Sequence, residues 1–165
     1  MFITVTNKRS VPYVVSDHKI THLLSTLDPG DTIKTPMEIM KAEHHLLLNF
    51  LDVEKPQDTR APKAEHVAEV LEWAHNLKEE DRLLVHCFAG ISRSTAFALA
   101  IWVMKHGTDY ESARAWMKST RSIACPNRLI AFYADEILNC KGKLLKLADE
   151  IGNEYLLDLS AQRNK

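Results

Sequence analysis

Apolar runs separated by short polar breaks divide this chain into strand-sized and helix-sized pieces. Phe2 to Thr6 alternates as a half-buried strand does, and a second strand is expected within Lys19 to Thr26. Leu27-Asp-Pro-Gly-Asp31 has the residue chemistry of a turn. His45-Leu-Leu-Leu-Asn-Phe-Leu-Asp52 reads as a buried strand ending in an acid, and Arg82-Leu-Leu-Val-His86 as another buried strand. From Ala64 to Leu77 the pattern changes to a helical one, with Val67, Val70, Leu71 and Ala74 on one face. The polar stretch from Lys55 to Pro62 ahead of it holds two prolines and reads as an exposed loop, with Pro62 suited to the helix's first turn. An apolar helix is expected from Ser94 to Lys105, stopped by Gly107, and further helices over Tyr110 to Ser119, Leu129 to Leu138 and Lys143 to Leu157. This order implies an α/β fold, a central, mostly parallel sheet of about four to five strands flanked by helices.

Length and charge narrow the function classes. The 165 residues match one domain, expected to span 1–165. With 21 basic and 22 acidic residues the net charge is −1, so no global field attracts nucleic acid or an anionic membrane, and neither is expected as a partner. The N-terminus lacks the pattern of a leader, and the longest apolar run, Thr95 to Met104, is too short to span a bilayer, so a cytoplasmic protein is expected. Cys87, Cys125 and Cys140 have neither the number of a disulfide framework nor the spacing of a zinc site. Cys125 and Cys140 read as inert, with a resolving role toward an oxidised Cys87 as the alternative. His44 and His45, adjacent in a strand, point to opposite faces and do not form a metal pair.

The candidate chemistry lies in His86-Cys-Phe-Ala-Gly-Ile-Ser-Arg-Ser94, where a buried strand ends and a helix begins. A helix N-terminus offers unpaired N–H groups and about half a positive charge, enough to hold a phosphoryl dianion without a metal. Phe88, Ala89, Gly90, Ile91 and Ser92 would add amide donors, with Gly90 allowing the turn that aims them inward. Arg93 would hold two phosphate oxygens with its fork. The same dipoles and guanidinium favour a thiolate at Cys87.

This run resembles the signature loop of the cysteine-based protein tyrosine phosphatases, and the HC followed by AGISRS is most similar to the dual-specificity branch. The resemblance implies that Cys87 is a nucleophile forming a cysteinyl phosphate, that Arg93 clamps the phosphate, and that Ser94 stabilises the departing sulfur. It further implies that His86 orients the loop from behind, and that no cofactor or metal is needed. In the family a general acid follows a strand some thirty residues before the cysteine; Asp52, thirty-five residues before, matches, with Glu54 and Asp58 in reserve on the same segment. Arg121-Ser-Ile-Ala-Cys-Pro-Asn127 resembles the family stretch whose asparagine braces the catalytic loop. Tyr133 departs from the glutamine many members carry there. The matching motifs span about residues 45 to 135.

Ordinary structural roles compete at each position: a core histidine at His86, a helix-start hydroxyl at Ser94, a turn former at Asp52 and a helix cap at Asn127. Three functions compete too. The first is hydrolysis of phosphotyrosine, with phosphoserine, phosphothreonine or small aryl phosphates, so that the partner is a phosphorylated protein or small phosphomonoester. The second is hydrolysis of a phosphoinositide or RNA 5′ phosphate, whose extra charge would call for basic residues in the loop, where Phe88, Ala89, Ile91 and Ser92 offer none. The third is a phosphate-binding module without catalysis. The pattern carries no signal for oligomeric state.

Overall fold

A computed structural model of the chain describes residues 1–39, 41–107 and 109–163. Four strands, β1 (Phe2–Asn7), β2 (His22–Leu27), β3 (His45–Asn49) and β4 (Arg82–Cys87), form one parallel sheet in the order β1-β4-β2-β3. The latest strand in sequence is thus inserted between the first two, and its C-terminal end opens between those of β1 and β2. A parallel sheet is covered on both faces, so its strands must be apolar on both sides. Alternate residues divide accordingly. Leu24, Leu83 and Val85 enter the larger core with Val67, Phe97 and Ile130, while Leu23 and Leu84 pack on the opposite face with Val11, Val15, Ile20 and Ile39.

Among the described residues six α-helices supply that cover: α1 (Val11–His18), α2 (Ala64–His75), α3 (Arg93–His106), α4 (Tyr110–Thr120), α5 (Arg128–Ile137) and α6 (Lys143–Arg163). The central one, α3, is buried along most of its length because it touches β4, β1 and β2 on one side and α2, α4, α5 and α6 on the others. Only an apolar sequence on all sides can occupy that place. Gly107 ends it at φ +82°, as expected of a glycine stop. The buried Asp135 of α5 accepts from the amides of Gly142, Leu144 and Leu145 at 2.7, 2.8 and 3.2 Å, which anchors the start of α6 on the domain.

Four local expectations shift, the first being that α6 runs to Arg163, beyond its expected end at Leu157. Val11–His18 is a helix that the pattern did not announce, entered with Pro12 in its first turn. Pro62 lies ahead of the α2 cap, Lys63, rather than inside the helix, and Ala61 and Pro62 are buried although the rest of the 55–62 loop is exposed or half-buried. β3 ends at Asn49, so Asp52 lies three residues beyond the strand. Among the described residues no helix is long and apolar enough to cross a membrane.

Candidate active site

The segment between β4 and α3 is a ring whose carbonyls are all held from outside. Lys8 N–H takes the Phe88 carbonyl at 3.1 Å, and the Arg121 guanidinium takes those of Ala89 and Gly90 at 3.0 and 2.8 Å. Cys125 N–H takes that of Ile91 at 2.9 Å and Asn127 N–H that of Ser92 at 3.2 Å. With the carbonyls turned out, the amides turn in. Gly90 N–H donates to Cys87 Sγ at 3.2 Å, whereas among the described residues the amides of Phe88, Ala89, Ile91, Ser92 and Arg93 have no protein acceptor. Gly90 makes the ring possible twice over: its φ is +71°, and a Cβ there would lie 2.6 Å from the Thr6 carbonyl oxygen.

Cys87, only 2 % exposed, also touches Ser94 Oγ at 3.1 Å. With Asp28, Leu51, Asp52, Val53, Phe88, Ala89 and Arg93 it lines a cavity of about 350 Å³ at the carboxyl ends of the strands, where α/β sheets bind ligands. Arg93 is 3 % exposed. Its Nη1 is committed to the protein, donating to the Phe50 carbonyl at 2.7 Å and lying 2.8 Å from Asp28 Oδ1. Its buried Nε has no partner and stands 3.9 Å from Asp52 Oδ2. A buried N–H left without an acceptor costs about 1–3 kcal/mol, so this donor is poised for an acceptor from outside the protein.

Of the three candidate acids, Asp52 alone lines that cavity. Its Oδ1 accepts from Ser92 Oγ at 2.7 Å and from Asn127 Nδ2 at 2.8 Å, which leaves Oδ2 without a side-chain donor in hydrogen-bond range among the described residues. Glu54 Oε1 is taken by the Arg128 amide at 2.6 Å, and Asp58 is folded onto Arg60, which holds its carboxyl below the usual carboxylate range. Asn127 serves both as a helix cap and as a brace for the acid. Its Oδ1 caps α5 through the Leu129 and Ile130 amides, both at 3.1 Å, while its Nδ2 holds Asp52.

Behind the loop the fully buried His86 has its pKa pushed down to about 4, chiefly by desolvation, and is neutral at ordinary pH. Its Nδ1 faces the Cys87 carbonyl at 3.3 Å, which can only accept, so Nδ1 carries the proton and Nε2 accepts from Ser25 Oγ at 2.6 Å. Ser25, its hydrogen thus engaged, accepts from His45 Nε2 at 2.8 Å, and His45 Nδ1 accepts from the Thr35 hydroxyl at 2.7 Å. Every proton in the chain from Thr35 to Cys87 is therefore assigned by the carbonyl at its end. His44 turns the other way and packs its ring on His22 at 4.1 Å.

The Dual specificity phosphatase, catalytic domain, family model matches residues 1–134. This chain belongs to that family. It is 28% identical over 117 residues to dual specificity protein phosphatase 15 of Mus musculus, which is 70% of this chain and 45% of that protein. It is 45% identical over 60 residues to dual specificity protein phosphatase 4 of Gallus gallus, covering 36% of this chain and 16% of that one. The chain thus spans less than half the length of these curated relatives. In structure it is similar to DUSP15, with a TM-score of 0.65 and 24% identity over 90% of both chains. It is equally similar to human tyrosine phosphatase-like serine/threonine/tyrosine-interacting protein, with a TM-score of 0.65 and 23% identity over 84% and 92%.

Several parts of this dual specificity phosphatase domain lie where motif reading does not reach. Asp28 was readable only as a turn residue. It meets Arg93 because Asn49 Nδ2 ties down the carbonyls of Asp28 and Asp31 at 2.9 and 3.0 Å, and Lys8 pairs with Asp31. Arg121 was visible as part of a motif, yet its grip on the loop carbonyls depends on a contact across thirty residues of sequence. Tyr133 packs against the core and is absent from the cavity lining. Burial pushes the Cys125 and Cys140 thiols up, the former further through Glu54 and Asp52, which supports their reading as unreactive.

Proposed function

We propose that this chain is a single-domain, metal-independent phosphomonoesterase acting on phosphotyrosine and, with the same cradle, on phosphoserine, phosphothreonine or small aryl phosphates. The observation that carries the reading is the unpaired, buried Arg93 Nε beside a ring of unpaired amides, all centred on Cys87. A tetrahedral dianion satisfies those donors together. Arg93 Nε and Nη2 take two of its oxygens and the loop amides take the rest, with phosphorus facing the sulfur. Cys87 Sγ then attacks phosphorus, and the S–P bond forms as the P–O bond to the leaving group breaks. The proton for that oxygen comes from Asp52, on Oδ2, since Oδ1 is engaged by Ser92 and Asn127. In the second half a water gives its proton to the Asp52 carboxylate as its oxygen attacks phosphorus. The S–P bond breaks, and the sulfur takes its electron pair back with Ser94 Oγ as a hydrogen-bond donor.

Asp28 and Asp52 at the cavity favour a substrate with one phosphate over a polyphosphorylated lipid or an RNA end, since further negative charge would face two carboxylates. The presence of the proposed nucleophile, clamp and acid argues against a binding module without catalysis. The test is turnover of an aryl phosphate in chelator by the wild type and by Cys87→Ser. Wild-type turnover, a variant without turnover that still binds vanadate, and a trapped cysteinyl phosphate are expected. Activity in Cys87→Ser, or its loss in chelator, would overturn the reading.

A further inference from the structure

A second recess adjoins the phosphate cavity. It encloses about 630 Å³ at the carboxyl end of β1 and is lined by Asn7, Lys8, Arg9, Ser10 and Tyr13, with Phe88 and Ala89 as the wall it shares with the cavity around Cys87. The two openings are neighbours because β1 and β4 pair in parallel, Asn7 beside Cys87, so both strands end on the same edge of the sheet. Three side chains of this recess are unaccounted for by folding. Phe88 is 67 % and Tyr13 73 % exposed, large aromatic surfaces left in water in the lining of the recess. Arg9 is exposed and has no ion-pair partner among the described residues, whereas its neighbour Lys8 is neutralised by Asp31.

We infer that this recess is a substrate subsite that binds an acidic side chain flanking the phosphorylated residue of a polypeptide. The inference rests on the phosphatase reading above and narrows its substrate class. Neighbouring strands lie about 4.8 Å apart and an extended peptide advances about 3.3 Å per residue, so a side chain one or two positions from the phosphorylated residue reaches from the β4 end to the β1 end. Such a peptide crosses the Phe88 ring, and its carboxylate meets Arg9, the one cation of the recess not already paired within the described residues. A single unpaired positive charge fits one carboxylate, and the Phe88 and Tyr13 rings cover the apolar part of the peptide. A small aryl phosphate fills the cavity alone and does not reach Arg9.

The experiment compares phosphotyrosine peptides that carry Glu or Gln one or two positions before or after the phosphorylated residue, read as the ratio of kcat/KM for each Glu/Gln pair. For the wild type the ratio should reach about two- to fivefold, the range of a partly exposed ion pair, and on one side of the phosphotyrosine only. Arg9→Ala should bring it to one, and Arg9→Glu below one with Lys-flanked peptides now preferred. Raising salt should shrink the wild-type ratio. A ratio of one at all four positions, or a preference that survives Arg9→Ala, overturns the subsite. Turnover of a small aryl phosphate by the wild type is read in parallel. If it fails, the phosphatase reading falls, and if it persists while the ratio stays at one, only the subsite does.

Discussion

Replacing Gly90 by alanine tests the architecture of the loop against a built-in control. Gly30 has φ +83° and Gly90 φ +71°, so an alanine at either pays for left-handed backbone, about 1–2 kcal/mol, partly offset by about 0.4–1 kcal/mol from a stiffer unfolded chain. There the likeness ends. A Cβ at position 30 meets nothing within 4 Å, whereas at position 90 it lies 2.6 Å from the Thr6 oxygen, 2.7 Å from its carbonyl carbon and 2.8 Å from Asn7 N. Those atoms belong to β1, whose pairing with β4 fixes them, and Lys8 N–H further ties β1 to the Phe88 carbonyl. The loop must give instead, by about 0.8 Å to reach the 3.4 Å of ordinary contact. Overpacking of this kind costs about 1–3 kcal/mol. Gly30→Ala should therefore lose about 0–1.5 kcal/mol and Gly90→Ala, which adds the overpacking cost to the same backbone cost, about 1–4.5 kcal/mol, read by urea denaturation through the fluorescence of Trp73, Trp102 and Trp116. A displacement approaching 1 Å in the loop should also lower kcat/KM by about 30- to 100-fold in Gly90→Ala alone. Equal stability losses in the two variants, or wild-type kcat/KM in Gly90→Ala, would refute the close approach of loop and strand.

Three further outcomes follow from the site. Asp52→Asn should depress hydrolysis of phosphotyrosine far more than that of a nitrophenyl ester, whose leaving group needs little protonation, and equal losses on both substrates would remove Asp52 as the acid. Asn127→Asp keeps the oxygen that caps α5 but sets a second buried carboxyl against Asp52 in place of the donor, so it should lose stability as pH rises and lose at least about tenfold in kcat. Asn127→Ala should show that loss together with about 1 kcal/mol of stability, and an Asn127→Asp enzyme of full activity would leave Asn127 a cap alone. His86, with its folded pKa near 4 against 6.5 unfolded, binds fewer protons in the native state across that window. Its contribution, about 3 kcal/mol, is complete above pH 6.5 and drains away as pH falls toward 4. His86→Gln should flatten the dependence of unfolding free energy on pH between 6.5 and 4, and an unchanged slope would place the titration elsewhere.

What the chain's pattern discloses, and what it withholds, divides along physical lines. The four strands and the five longer helices come from local periodicity, which each segment carries by itself. Helix α1 escaped because Val11, Val14 and Val15 are β-branched and favour extended backbone, so its helical state depends on burying Val11 and Val15 against Leu23 and Leu84 across the sheet. The positions of Cys87, Gly90, Arg93 and Ser94 are legible for the opposite reason, being confined to one loop whose spacing is local. The contacts of Asp28 and Arg121 are not, since each reaches the loop from far away in sequence, Asp28 through the strand order β1-β4-β2-β3 and Arg121 from the end of α4. That order brings the end of β2, and Asp28 with it, beside the β4 loop. The network behind Cys87 has the same origin: Ser25 and His86 are register partners on adjacent strands, and His45 reaches Ser25 from the next strand over. A hydrogen-bond chain that runs across a sheet has no signature along any one strand. Its proton directions can nevertheless be assigned once the register is known, because a single carbonyl at its end admits one arrangement of neutral imidazoles and hydroxyls.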